Sequence, residues 1–371
     1  MRMLTIVAAL AAAACSTFFA TSGDLPSLAV HVQPPATYNV PAGAVTVATS
    51  RALAAALETP GRTIAVADGT YDSRGAFVVA PGVHVYAEHV GRAVLHSGLS
   101  IGQGPALVRG LSFRVRDARR TQDGAAILVW GAAHGTTVDD VSIDGAGALS
   151  YALEVRAPDG FVGRRIVARN LTSDGIVVDT YPRHVRLARP PVLADLDVAH
   201  VSRPKPRSSN GTAEACIWLG VRVAVTRARA RDCAWMGVWT GFNSVGGRYS
   251  ELDIDDTPVG VYVEHYTTDS VFSHLVIGTH VRNGVNCEWA APAYGGKPAS
   301  VRNVFRDSVL ESFGTGVFLD QGTRSTSIVN STFRGQKTAA IVDFRGRGNS
   351  YSGNDYSGIS PSAVPVSHDH G

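Results

Sequence analysis

Three acidic residues recur at matching places in a repeated pattern in the second half of the chain. Glu264, Glu288 and Asp320 each stand four residues after a glycine that opens a similar segment. If neighbouring repeats stack as strands about 5 Å apart, these like charges repel and raise each other's pKa. Such a cluster is costly unless it transfers protons or binds a cation. The alternative is a solvated acidic ladder whose side chains splay apart.

Paired carboxylates suggest hydrolysis of a glycosidic bond, with carboxyl groups roughly 5–5.5 Å apart in retaining enzymes and roughly 6.5–9.5 Å apart in inverting ones. Within the trio, Glu288 is the candidate proton donor because an acid flanks it on both sides. Asp179 holds the same place in an earlier repeat. Gly220 and Gly241 separate it from Glu264 by three strand steps, about 14 Å, which predicts a distant subsite.

A column of aromatic residues runs beside the acids. Trp218, Trp239 and Tyr262 occupy equivalent positions in three consecutive repeats, so stacking predicts an exposed ledge for a sugar ring. The alternative is that the insertion at 181–213 covers these rings. Three further residues near the acids are candidates for substrate binding, namely His265, Trp289 and Lys297.

The same acids allow a second chemistry. Three carboxylates could hold Ca²⁺ through oxygen ligands, and a Lys or Arg would then remove the proton next to a substrate carboxylate. The insertion at 181–213 supplies a local basic run that suits an acidic polysaccharide or is merely solvated. Its members are Arg183, Arg186, Arg189, Arg203, Lys205 and Arg207. This lyase interpretation brings in Ca²⁺, whereas the hydrolase interpretation requires no cofactor.

The repeat that positions these residues is a small residue followed by alternating apolar positions. It opens at residues 152, 175, 216, 237, 260, 284, 316 and 340, so most repeats are 21 to 24 residues apart. That period indicates a solenoid. Alternation places Ile176, Val238, Val261 and Val317 inside. We therefore predict an all-β, single-stranded parallel β-helix of about ten coils over residues 44–360. A leucine-rich horseshoe would need a Leu-dominated repeat.

Composition agrees with strands and turns, with 39 Gly and only 18% charged residues. The formal net charge of +3 is too small to argue for a nucleic-acid partner. At the start of the repeat, Ser50 reads as the N-cap of a short helix over 51–57, followed by Pro60-Gly61 and an apolar strand.

This opening, followed by the coils, resembles the capped right-handed parallel β-helix of the pectate-lyase-like superfamily over residues 44–355. The resemblance implies the fold and a helical cap. No catalytic residues of a particular family carry over, because one fold hosts many chemistries. Arg203-Pro204-Lys205-Pro206-Arg207, for instance, is only loosely similar to the basic run of pectate lyases.

The N-terminus reads as an export signal. Residues 1–23 contain an apolar run that is too short to span a bilayer, and it ends at Cys15. Either Cys15 is lipidated or an ordinary signal peptide is cleaved later, so we expect a protein that is secreted or lipid-anchored at the cell surface. Residues 24–43 read as a tether and 361–371 as a flexible tail, and the sequence offers no transmembrane segment.

Three cysteines lie beyond the signal. Cys216 and Cys233 are the better pair for a disulfide because they lie in neighbouring repeats, and Cys287 remains. The alternative is three buried thiols.

Together these features predict an enzyme that cleaves a polysaccharide, by hydrolysis first. Ca²⁺-assisted elimination and a non-catalytic glycan-binding or structural solenoid are the alternatives. The insertions at 181–213 and 290–299 should form walls beside the acids.

Overall fold

The computed structural model describes residues 38–180, 187–201, 214–242, 244–264, 266–287 and 300–369. In these ranges the chain winds into a solenoid of parallel strands, with one α-helix at Ser50–Leu57 and a 3-10 turn at Ala118–Arg120. None of these helical segments is long and apolar enough to cross a membrane. The predicted signal peptide 1–23 and Cys15 lie outside the described residues.

Twelve parallel strands form the sheet that carries the predicted site, and we call it the front sheet. Each strand pairs with the equivalent strand of the next coil, which is the connectivity of a single-stranded parallel β-helix. Its strands are Phe77–Val79, Leu99–Gln103, Ala125–Ala132, Tyr151–Val155, Ile176–Val178, Ala215–Leu219, Met236–Thr240, Val259–Val263, Asn283–Cys287, Thr315–Leu319, Ala339–Phe344 and Val364–Asp369.

The remaining sides of the coils form a back sheet of nineteen strands and a third sheet of three. The back sheet contains Val45–Val47, Thr63–Val66, Gly69–Tyr71, His84–Ala87, Ala93–Leu95, Leu107–Arg109, Ser112–Arg114, Thr137–Asp144, Val162–Leu171, Val192–Val201, Ala224–Cys233, Arg248–Asp255, Val271–Ile277, Val304–Arg306, Val309–Leu310, Ser327–Val329, Thr332–Arg334, Ser350–Ser352 and Asp355–Gly358. The third sheet contains Thr267–Thr268, Ser300–Val301 and Thr323–Arg324.

The core runs along the inside of the coils. Ile176, Val238, Val261 and Val317 are all buried in it, as the alternation predicts. Aromatic rings stack inside as well, and Phe272 lies between Tyr249 and Phe305 with ring centroids 4.6 and 4.7 Å away. Because each coil covers the apolar residues of its neighbours, the stack is stabilised coil by coil.

A ladder of charges marks the bend within the long back-sheet strands. At this bend one residue of each strand adopts a positive φ and drops out of the strand register. In five successive coils these residues alternate in charge: Asp140, Arg165, Asp195, Arg227 and Glu251. Arg227 Nε donates to Asp195 Oδ1 at 2.7 Å, so opposite charges in adjacent coils hold the bend.

The N-terminal helix covers the open end of the core with Leu53, Ala56 and Leu57. Its N-cap is Thr49, whose hydroxyl accepts from the Ala52 N–H at 3.2 Å, so the prediction of Ser50 as the cap is wrong. The Ser50 hydroxyl instead accepts from the Asp72 N–H at 2.9 Å.

The ends of the solenoid extend beyond the predicted boundaries. Tyr38, in the segment predicted as a tether, donates from its hydroxyl to the Ala87 carbonyl at 3.0 Å. Val364–Asp369, assigned to the tail, pairs with Ala339–Phe344 as the last front-sheet strand. Part of the predicted insertion 181–213 is also regular, because Val192–Val201 is a back-sheet strand.

A disulfide joins Cys216 of the front sheet to Cys233 at the end of a back-sheet strand. Of the two alternatives for these residues, the pairing is therefore the one found. Cys287 is buried and reduced, and burial raises the pKa of its thiol to about 12. The bond closes a loop with a sequence separation of 17 residues.

We expect the Cys216→Ser/Cys233→Ser double variant to lose about 3 kcal/mol of unfolding free energy, because a loop of this length no longer restrains the unfolded chain. Urea unfolding measures the loss. Reductant should destabilise the wild type and leave the double variant unchanged. Equal stability of the two proteins under oxidising conditions would contradict this prediction.

Candidate functional site

The outer face of the front sheet presents two parallel columns of side chains. We call the first the middle column and the second the acid column. The middle column is Glu154, Val177, Trp218, Trp239, Tyr262, Asn286, Phe318 and Val342, and strand pairing confirms every step of it. Two positions further along each strand, the described members of the acid column are Arg156, Asp179, Gly220, Gly241, Glu264, Asp320 and Phe344.

Backbone hydrogen bonds extend the ladder through the acid column. The Asp179 N–H donates to the Val155 carbonyl at 3.0 Å, and the Glu264 N–H donates to the Thr240 carbonyl at 2.7 Å. Gly220 and Gly241 continue the same ladder between them. Asp179 and Glu264 are therefore three strand steps apart along the backbone, as the sequence predicts.

The tryptophans of the middle column stack as predicted. The Trp218 and Trp239 rings lie 4.7 Å apart between centroids, with an angle of 14° between their planes. They do not form a fully exposed ledge, however. Trp239 is only 7% exposed, and Phe242 packs edge-on against it at 5.7 Å. The rings thus form a half-covered cluster, with Tyr262 partly buried beside them.

Gly220 and Gly241 leave a gap in the acid column, which we call the glycine floor. Neither residue has a positive φ, so backbone conformation does not require glycine at these positions. What glycine provides is room. A Cβ on Gly220 would lie 2.5 Å from Asp179 Oδ1, and a Cβ on Gly241 would lie 3.0 Å from Glu264 Oε2.

The two carboxyl groups therefore lean towards each other over the glycine floor. Each covers the adjacent glycine, and the two glycines are one strand step apart. The carboxylate oxygens of Asp179 and Glu264 therefore lie within roughly 10 Å of each other, rather than the 14 Å or so that the backbone alone suggests. The sequence could not show this approach, because it depends on side-chain direction.

Trp239 forms one edge of this gap. Its Nε1 lies 3.3 Å from the point where a Cβ on Gly241 would stand. The indole N–H groups of Trp218 and Trp239 are both buried, and within the described ranges neither has a hydrogen-bond partner. Leaving a buried donor unsatisfied costs about 1–3 kcal/mol of folding free energy.

Glu154 is a site residue that the sequence analysis missed. It stands in the middle column beside Asp179, and its Oε1 accepts from Arg156 Nε at 2.7 Å. Burial raises the pKa of Glu154 against the lowering effect of Arg156, and Asp123 and Asp179 add smaller raising effects. The sequence did offer a signal, because Glu154 stands only two residues before Arg156, the first member of the acid column.

Asp174 is a second buried acid, and it lies just before the front-sheet strand Ile176–Val178. Its Oδ1 accepts from the Ala215 N–H at 2.7 Å, and its Oδ2 accepts from the Ser173 hydroxyl at 3.3 Å. Burial raises its pKa from 3.8 to about 7, although both hydrogen bonds oppose the shift. The side chain therefore titrates in the neutral range.

This raised pKa predicts a stability loss with rising pH. Between about pH 4 and 7 the folded protein keeps the Asp174 proton that the unfolded chain has released, so unfolding free energy falls over that window. Asp174→Asn should flatten the profile and be more stable than wild type at pH 8, by up to about 4 kcal/mol. Urea unfolding at several pH values measures this, and parallel profiles would contradict it.

Asp320 lies two strand steps beyond Glu264. Its backbone N–H donates to the Cys287 carbonyl at 3.0 Å, and its Oδ1 accepts from the Gln321 N–H at 2.7 Å. The carboxylate thus stabilises its own turn. Four other predicted site residues lie outside the described residues, namely Glu288, His265, Trp289 and Lys297.

Metal binding by the predicted trio stays a prediction. Within the described ranges, no three His, Cys, Asp or Glu side chains lie close enough together to hold a metal ion. Of the basic run, Arg189 is described, and its backbone N–H donates to Asp159 Oδ1 at 2.7 Å. The predicted walls formed by the insertions fall largely outside the described ranges.

No protein family and no curated protein matches the amino-acid sequence. Solved structures do match. One is a PL6 alginate lyase in complex with a trisaccharide, with a TM-score of 0.50 and 12% identity over 92% of this chain and 91% of that one. Another is the Streptococcus pneumoniae surface protein and adhesin PfbA, with a TM-score of 0.55 and 10% identity over 86% of this chain and 94% of that one. At these identities the likeness concerns the fold, and the chain is a right-handed parallel β-helix.

Proposed function

We propose that the protein is a carbohydrate-active enzyme that hydrolyses a polysaccharide along the outer face of the front sheet. The observation that carries the proposal is the approach of the Asp179 and Glu264 carboxyl groups over the glycine floor, beside the stacked tryptophans. The two carboxyl groups cover the buried Gly220 and Gly241, so a sugar ring would lie on the carboxyl groups rather than on the backbone.

The two carboxyl groups suit different roles. Asp179 Oδ1 accepts from the Thr180 N–H at 2.7 Å, which favours its ionised form, so we assign Glu264 as the proton donor to the glycosidic oxygen. Asp179 then acts as the base that activates water or as the nucleophile. A separation of up to roughly 10 Å includes both the retaining range of about 5–5.5 Å and the inverting range of about 6.5–9.5 Å, so we propose hydrolysis without assigning its stereochemistry.

Trp218 has a role in holding the substrate. Its half-buried ring can pack against the apolar C–H face of a sugar unit. The candidate donor from sequence alone, Glu288, lies outside the described residues, and its role stays a prediction. So do His265, Trp289 and Lys297 as substrate-binding residues.

A screen of neutral and acidic polysaccharides with two readouts tests this proposal. New reducing ends without absorbance from unsaturated uronates indicate hydrolysis, and we expect this result with the wild type. Unsaturated products that disappear with a chelator would instead support the Ca²⁺-assisted lyase acting on an acidic glycan. Binding without any product would support a glycan-binding solenoid and contradict the enzymatic proposal.

We also propose that the protein is exported, either secreted or anchored at the cell surface through a lipid on Cys15. The Cys216–Cys233 disulfide supports this proposal, since such bonds persist mainly in oxidising compartments. Cell fractionation with mass analysis of the mature N-terminus distinguishes the two forms. A full-length protein retained in the cytoplasm would contradict export.

A further inference from the structure

Trp130 has an unusually exposed ring for a tryptophan in this fold. It is 40% exposed, whereas the tryptophans of the middle column are buried or half-buried. Three of its ring atoms, Cε2, Cζ2 and Nε1, lie 2.9, 3.0 and 3.1 Å from the point where a Cβ on Gly102 would stand. Such similar distances mean that the ring covers Gly102 with its face, which leaves the opposite face to solvent.

The ring is also held in place. Trp130 Nε1 donates to the Ser100 hydroxyl at 3.0 Å, and that hydroxyl donates in turn to Gln122 Oε1. The strand register shifts at Trp130, so a bulge re-aims its side chain. A flat ring that is fixed before binding loses little conformational freedom when a ligand stacks on it.

Trp130 continues the line of the acid column. The Arg156 N–H donates to the Val129 carbonyl at 2.7 Å, which places Arg156 one strand step from Trp130. Asp179 follows at the next step, so Trp130 lies about 10 Å before the proposed carboxyl pair. A glycan that lies across the glycine floor and follows the solenoid axis in this direction reaches the ring.

The charges around this position disfavour an anionic sugar. Arg156 donates to Glu154 Oε1 at 2.7 Å and to Asp123 Oδ2 at 2.6 Å, so two acids surround one base. Asp179 adds a further acid one step away. A uronate carboxylate would meet net negative charge, whereas a neutral sugar can stack its apolar C–H face on the indole.

We propose that Trp130 forms a distal subsite that stacks a neutral sugar unit of the bound polysaccharide. The inference takes the position of the cleaved bond from the proposed function. The binding of a sugar by Trp130 does not depend on that function. It extends the site towards the N-terminal coils and makes affinity depend on chain length. A disaccharide at the glycine floor does not reach Trp130, whereas a hexasaccharide does.

The probe is an array of neutral and uronate oligosaccharides, followed by calorimetry with the disaccharide and hexasaccharide of the best-bound neutral series. Trp130→Ala should weaken hexasaccharide binding about tenfold and leave disaccharide binding unchanged. Gly102→Ala keeps the indole but lifts it, and should weaken hexasaccharide binding in the same direction. Phe313→Ala, which removes an exposed aromatic ring far along the solenoid, is the matched control.

Unchanged hexasaccharide binding in correctly folded Trp130→Ala would overturn the subsite, as would equal losses with both oligosaccharides or in Phe313→Ala. Tighter binding of a uronate series would overturn the preference for a neutral sugar. If the wild type binds through Trp130 but releases no product from any glycan, the subsite stands and the hydrolase proposal fails. The two failures are therefore distinguishable.

Discussion

Replacing Asp179 by Asn or Glu264 by Gln should lower hydrolysis of the cognate polysaccharide by at least about 100-fold while glycan binding persists. Each substitution keeps the shape of the side chain but removes its ability to accept or donate a proton in the reaction. Positioned acids and bases typically contribute about 10²–10⁴-fold to catalysis. Both carboxyl groups lean over the glycine floor, so both should be required.

Release of reducing ends measures this loss, and calorimetry with an oligosaccharide measures binding. Asp68→Asn is the control, because Asp68 is an exposed acidic residue outside the two columns. It forms ion pairs with His89 and Arg92. Asp320→Asn should have a smaller effect because Asp320 lies two strand steps beyond Glu264, away from the glycine floor. Full activity in either Asp179→Asn or Glu264→Gln would remove that residue from the mechanism.

Gly220→Ala should lower turnover about 10–100-fold although it changes no catalytic group. The added Cβ would lie 2.5 Å from Asp179 Oδ1 and 2.6 Å from its Cγ, so the carboxyl group must rotate away from the floor. Displacing a reacting group by about 1 Å can cost roughly 100-fold in rate. The displaced carboxyl group also takes up space above the floor where the sugar would bind, so the KM should increase.

The matched control is Gly75→Ala. Gly75 has no positive φ, and a Cβ there meets no atom within 4 Å. Thermal unfolding of both variants should show that Gly220→Ala is still folded at the assay temperature, with a destabilisation of about 1–3 kcal/mol. If the two variants were equally active, the glycine floor would have no role in positioning Asp179.

The columns of the front sheet were predictable because a parallel ladder turns sequence spacing into position. Trp218 pairs with Trp239 and Trp239 with Tyr262, as equal places in the repeat require. The same logic placed Gly220 and Gly241 between Asp179 and Glu264. Strand pairing is set by the backbone, so a repeat of apolar residues is sufficient to predict it.

The directions of the side chains and their burial by neighbouring residues were not predictable from the repeat. The lean of Asp179 and Glu264 depends on the space above the neighbouring glycines, and the burial of Trp239 depends on Phe242 from the following turn. Glu154 was overlooked because it stands in the middle column with the aromatics. Its pairing with Arg156 became visible only with the side chains placed.

Local competition explains the errors at the boundaries. Thr49 and Ser50 are both suitable N-cap residues, and a bond with Asp72 occupies Ser50. The strand Val192–Val201 belongs to the back sheet, whose pattern differs from the front-sheet repeat that defined the insertion. Val364–Asp369 is polar at its end, yet its backbone completes the front sheet.

The most direct test of a glycan site over the glycine floor is a crystal structure of the Asp179→Asn protein with a neutral hexasaccharide. We expect sugar rings over Gly220 and Gly241, a glycosidic oxygen between residue 179 and Glu264, and one ring stacked on Trp130. Saturating oligosaccharide bound elsewhere on the solenoid, with the floor empty, would contradict this account.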